Sequence, residues 1–99
     1  MQRGEVWTYT SAARSPRVLV VSAETLNVSG MFVIVDVTEV PPSFTSLGLL
    51  TVNLGEGLGF ARCVALGTGE SLRFEQRIAT VGPEVMERVD MALSAVLDL

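Results

Sequence analysis

Histidine and lysine are both missing from this chain, and cysteine occurs once, at Cys63. Without histidine there is no Ser-His-Asp or Cys-His catalytic arrangement, and most zinc sites are excluded. A lone cysteine forms no disulfide within the chain and no thiolate metal cluster. No run approaches the ~18 apolar residues that a membrane span requires, and the N-terminus lacks the charged-then-apolar layout of a signal peptide, so a cytoplasmic location is expected. Internal repeats, low-complexity tracts and linkers are also absent. Basic charge is scarce overall: the net charge is −4 and the pI about 4.6, whereas nucleic-acid binders usually carry a basic footprint. The seven basic residues are all arginine, the forked planar donor suited to bidentate phosphate contacts. Several acidic residues sit in the C-terminal third, far in sequence from Arg14 and Arg17, which leaves room for a local positive site.

What is present is apolar residue in quantity. The 99 residues make one domain with one core, yet 48% are hydrophobic and the mean hydropathy is +0.46. A domain this small cannot bury all of that, and an exposed apolar patch usually marks a partner surface. Homodimerisation, or a bound partner chain, is the composition-level expectation.

Glu5 to Thr10 alternates as a strand, with Val6, Thr8 and Thr10 on one face and Trp7 and Tyr9 on the other. Ser11 to Ser15 reads as a loop, Arg17 to Ser22 as a β-branched strand, and Ala23 to Gly30 as a short helical turn. Met31 to Val37 is apolar on both faces and is predicted to be a central strand. Pro41-Pro42-Ser43 stops regular structure. Strands are predicted over Leu49–Leu54, Phe60–Leu66 and Ser71–Thr80, the last with a bulge. Turns are predicted at Gly55-Glu56-Gly57 and Gly67-Thr68-Gly69. Gly82-Pro83-Glu84 opens a helix, with Pro at its first position and an acid where the dipole favours it. Val85, Met86, Val89, Leu93, Val96 and Leu97 fall on one face of that helix. Strands first and one amphipathic helix last predict an α+β, mainly β fold: a strongly curved sheet or small barrel packed by the C-terminal helix.

Five segments, in order and spanning nearly the whole chain, resemble the MazF/PemK family of bacterial toxin ribonucleases. They are Arg3-Gly4-Glu5-Val6-Trp7, Pro16-Arg17-Val18-Leu19-Val20-Val21-Ser22, Val35-Asp36-Val37-Thr38, Gly59-Phe60-Ala61-Arg62-Cys63, and the run from Pro83 to Leu93. The resemblance implies an SH3-like β-barrel with a C-terminal helix, a homodimer, and a cognate antitoxin seated in a groove along the dimer seam. It also implies metal-independent, cofactor-free cleavage of single-stranded RNA to a 2′,3′-cyclic phosphate.

Such cleavage needs a proton acceptor for the 2′-hydroxyl, a donor for the leaving oxygen, and positive groups on the transition state. With no histidine, the resemblance assigns these roles to Thr38, Arg17 and Arg62. Arg14 in the first loop, and Ser43 and Thr45 flanking Phe44 in the Pro-rich loop, are read as RNA contacts. The chain departs from the family in three places. Relatives read Arg-Pro where this chain reads Pro16-Arg17, and a one-residue displacement on a strand turns a side chain to the opposite face, so Arg14 stands as the alternative to Arg17. Relatives with an Arg-Cys-Asp pattern have their carboxylate where Val64 stands. The loop between the first two strands is also shorter than usual.

Plainer readings stand beside these. Thr38 reads as a turn or strand-edge residue, Arg62 as an ion-pair partner of Glu56 or Glu70, Trp7 as a core or dimer-seam aromatic, and Cys63 as a small buried apolar residue. Two other functions compete: a non-catalytic binding module on the same fold, and a CcdB-like gyrase inhibitor. The gyrase reading is disfavoured because the ending Ala95-Val96-Leu97-Asp98-Leu99 lacks the tryptophan that carries that interaction.

Overall fold

A computed structural model describes residues 1–10, 17–41 and 50–98 of the chain. The elements are β1 (Glu5–Tyr9), β2 (Arg17–Val20), a one-turn helix α1 (Glu24–Asn27), β3 (Met31–Thr38), β4 (Thr51–Asn53), β5 (Phe60–Glu70), a 3₁₀ turn (Ser71–Arg73), β6 (Phe74–Thr80) and α2 (Pro83–Leu97). The strands form one six-stranded sheet in the order β4-β5-β3-β2-β1-β6, antiparallel at every pairing. β4 and β6 are its open edges among the described residues. The mainly β, barrel-like architecture with a closing helix is the one that the sequence predicts.

β3 lies inside the sheet with β2 and β5 on either side, as its two apolar faces require. On one face, Val35 and Val37 join Val6, Leu19, Ala61, Cys63 and the α2 residues Met86, Val89 and Ala92 in the main core. On the other, Phe32 and Ile34 join Val18 and Val20 under Trp7, Tyr9 and Phe74. Phe74 is the hub of this second cluster, meeting Trp7, Tyr9 and Phe32 edge-on at 5.9, 5.0 and 5.2 Å. The sheet therefore buries apolar surface on both sides, each fully enclosed aliphatic side chain contributing about 1.5–3 kcal/mol.

α2 begins at Gly82 with Pro83 and Glu84 in its first turn and ends at Asp98 in the left-handed conformation. It packs over β4 and β5. Val85, Leu93 and Val96 border the core as the helical spacing predicts, but Leu97 is half exposed. Near its middle, Asp90 pairs with Arg3, whose other nitrogen donates to the Val21 carbonyl at 2.7 Å. No helix among the described residues is long and apolar enough to cross a membrane.

Several boundaries differ from the sequence expectation. β2 ends at Val20, and β4 spans only Thr51–Asn53. The predicted turn at Gly67-Thr68-Gly69 is instead the far half of β5, paired with Ile34, Val33 and Phe32. Glycine fits there because a Cβ on Gly69 would stand 3.1 Å from the Phe74 ring and 3.3 Å from Ile34. The reversal falls four residues later, where Ser71–Arg73 coil into the 3₁₀ turn, so β6 starts at Phe74 rather than Ser71. The predicted bulge in this strand is present: Val6 pairs with Ala79 and Trp7 with Arg77, leaving Ile78 over.

Candidate functional site

Three strand rows bring the sequence-predicted residues together. In one, Val18, Asp36, Arg62 and Thr51 face one another across β2, β3, β5 and β4. In the row two residues along, Thr38, Phe60 and Asn53 align across β3, β5 and β4. Residues opposite or two apart share a face, so Thr38, Asp36, Arg62 and Phe60 present their side chains on one side of the sheet. The row between them holds Arg17, Val37, Ala61 and Val52, and it faces the core.

Arg17 is thus on the opposite side from Thr38 and Arg62, as its one-residue displacement predicts. Its guanidinium donates to the Leu58 carbonyl at 3.2 Å and lies 3.6 Å from the Glu39 carboxylate. Arg62 is exposed, and among the described residues it makes no ion pair; Glu70 is taken instead by Arg73. Thr38 is half-buried, and its Oγ1 accepts the Val40 N–H at 3.2 Å. That leaves the hydroxyl proton free to donate to a ligand. Arg14, Ser43 and Thr45 lie outside the described residues.

A bulge shapes this face. Val35 pairs with Leu66, but the next residue, Asp36, pairs with Arg62, so Cys63, Val64 and Ala65 are extra on β5. Cys63 is held by its N–H on the Leu50 carbonyl at 3.0 Å, with its side chain fully buried. Burial pushes its thiol up to about 11, far from nucleophilic use at neutral pH, which fits the reading of it as a small apolar residue. At the other end of the face, the turn Gly55–Gly59 closes through Leu58 N–H to Gly55 O and Leu54 N–H to Gly59 O, both 2.9 Å. Beside it lies an open hollow of about 430 Å³ walled by Glu39, Asn53, Phe60 and the turn glycines. Gly59 abuts Thr38 so closely that a Cβ would lie 2.6 Å from the Thr38 carbonyl oxygen.

Among the described residues no cluster of His, Cys, Asp and Glu has the makings of a metal site. The one buried carboxylate among the described residues, Glu5, is structural. Burial raises its pKa, but donors from Gln2 N–H, Trp7 Nε1 and Arg77 outweigh that and hold it below its ordinary value. Trp7 is committed by this bond and by Phe74 to the second cluster, as a core aromatic.

No family model matches the chain, and no curated protein matches it in sequence. Solved structures do. An endoribonuclease from a mycobacterial species, in complex with its cognate antitoxin, superposes with a TM-score of 0.88 over 100% of this chain and 96% of its own, at 20% identity. The MazE–MazF complex of Deinococcus radiodurans gives 0.81 over 100% and 97%, at 18% identity. The fold is that of MazF. Mycobacterium tuberculosis toxin MazF-mt6 agrees, at 0.74 over 98% of each chain and 14% identity.

On this MazF fold, three residues near the site carry more than the sequence alone indicated. Phe60 sits opposite Thr38, and Gly59 packs on the Thr38 backbone. Asp36 was visible as the one carboxylate in the apolar run MFVIVDVT, but nothing in the sequence indicated that Arg62 would be its cross-strand neighbour.

Proposed function

We propose that this chain is the toxin of a type II toxin–antitoxin pair: a cytoplasmic, homodimeric endoribonuclease that cuts single-stranded RNA without a metal. The carrying observation is that Arg62, free of ion pairs among the described residues, and the Thr38 hydroxyl share one accessible sheet face of a fold found in endoribonucleases. Arg62 places its fork on the scissile phosphate and stabilises the added charge of the five-coordinate transition state. Thr38 donates to a non-bridging oxygen. Phe60, half-buried beside the open hollow, offers an aromatic face to a splayed base. Arg14, Ser43 and Thr45 are assigned to RNA contacts. Arg17, engaged with Leu58 and Glu39, holds the rim of the site in place. The product is a 2′,3′-cyclic phosphate.

Large apolar side chains left exposed, Leu72, Val40, Met91 and Met31 among them, support a second subunit and an antitoxin as partners. Solved relatives of this fold include complexes with a cognate antitoxin, and we assign this chain one as well.

The test is incubation with a weakly structured RNA in excess chelator, with mapping of the new ends. Discrete cuts bearing 2′,3′-cyclic phosphates, lost in folded Thr38→Ala and Arg62→Ala variants, are expected. Intact RNA from a folded chain at high concentration favours the non-catalytic binding module, a reading supported by the neutral Val64 and the engaged Arg17.

A further inference from the structure

A ribonuclease site without histidine lacks an evident group to take the 2′-hydroxyl proton. The sequence shows no carboxylate following Cys63, where some relatives carry one. Val64, the residue that follows Cys63, lies in the three-residue bulge of β5, off the ladder. The ladder position directly across from Arg62 is held by Asp36 of β3, on the same face and two residues before Thr38.

Directly opposed residues of an antiparallel pair have Cβ atoms about 4.5–5.5 Å apart, so a phosphodiester bound by Arg62 lies within reach of the Asp36 carboxylate. Asp36 is half-buried in a strand whose preceding residues on this face, Phe32 and Ile34, are buried apolar side chains, and Val18 opposite it is buried too. An acid in that setting has no packing role to explain it. Among the described residues its carboxylate accepts no hydrogen bond and makes no ion pair, and the Arg62 guanidinium makes no ion pair either. Opposite charges stand side by side and are not spent on each other, which suits a ligand that enters between them.

We propose that Asp36 is the general base of this chain, a role that rests on the ribonuclease reading above. Its carboxylate takes the proton of the 2′-hydroxyl, and the 2′-oxygen forms a bond to phosphorus. The bond from phosphorus to the 5′-oxygen breaks, and the 5′-oxygen leaves with the bonding pair and takes a proton from water. The hydroxide so formed accepts the proton held by Asp36, which returns the carboxylate to its starting state. Arg62 neutralises the phosphate throughout.

The experiment compares wild type, Asp36→Asn and Asp36→Glu, each checked for intact fold by circular dichroism. It reads single-turnover cleavage and RNA affinity separately. Losing a general base is expected to slow Asp36→Asn cleavage by about 10²–10⁴-fold with affinity nearly unchanged, and Asp36→Glu is expected to restore part of the rate. A second substrate carries sulfur in place of the 5′-oxygen at the cleaved bond, a leaving group that departs without a proton. The Asp36→Asn defect persists on that substrate if Asp36 serves the attacking oxygen. The assignment is overturned if Asp36→Asn cleaves like wild type, if its defect disappears with the sulfur leaving group, or if the whole loss is in RNA affinity. Wild-type chain that cuts no RNA overturns the ribonuclease reading itself, and this assignment with it.

Discussion

Replacing Gly59 by alanine adds one methyl group at the point where the Gly55–Gly59 turn touches Thr38. Two costs follow, and the structure separates them. Gly59 has φ +106°, which an L side chain tolerates poorly, a strain of about 1–3 kcal/mol. The new Cβ would also lie 2.6 Å from the Thr38 carbonyl oxygen and 3.2 Å from Val37 Cγ1. Both neighbours belong to a central strand and yield little, so overpacking adds about another 1–3 kcal/mol. Gly57 is the control: its φ is +75° but nothing lies within 4 Å of a Cβ there, so Gly57→Ala carries only the conformational cost of roughly 1–2 kcal/mol. Urea unfolding of the two variants, compared at equal m, should show Gly59→Ala less stable than Gly57→Ala by about 1–3 kcal/mol. Because the clash displaces Thr38, RNA cleavage should fall in Gly59→Ala and not in Gly57→Ala. Equal stabilities and equal rates would mean that the Gly59 contact neither strains the turn nor positions Thr38.

Glu5→Gln should lower stability by about 1–3 kcal/mol at neutral pH, since three donors lose a charged acceptor. The folded-state pKa of Glu5 is depressed, so the unfolded chain binds the extra proton. Its contribution is full above the ordinary value of 4.5 and is lost as pH falls through the lower folded value. The gap between wild type and Glu5→Gln in thermal melts should therefore narrow on acidification below that point. Cys63, buried and with its thiol raised to about 11, should resist a thiol-reactive dye in the native state and react at the rate of unfolding. Arg17→Ala should slow RNA cleavage less than Arg62→Ala does, because Arg17 faces away from Thr38 and holds Leu58 and Glu39.

Much of the fold was legible because burial on one or both sides of a strand leaves its mark in residue type. The two-sided apolar run of β3 announced a central strand, and Gly82-Pro83-Glu84 announced the start of α2. Gly67-Thr68-Gly69 misled for a physical reason: glycine marks both reversals and places where another chain segment comes close, and here the segment is Phe74 against β5. The face of Arg17 was predictable from the period of two along a strand. The juxtaposition of Asp36 with Arg62 was not, since it depends on a three-residue bulge that shifts register within one strand step. Alternation along β5 alone places Arg62 and Val64 on one side, and says nothing of the residue across from them.

The proposed function requires that RNA meet the face carrying Thr38, Asp36 and Arg62. An uncleavable 2′-deoxy oligonucleotide titrated into isotope-labelled chain, with amide shifts followed by NMR, tests it most directly. Shifts concentrated at Asp36 to Thr38, Phe60 to Arg62 and Thr51 to Asn53, weakening steeply with added salt, are the predicted result. Shifts confined to α2 or to the β6 edge, with these strand ends silent, would contradict it.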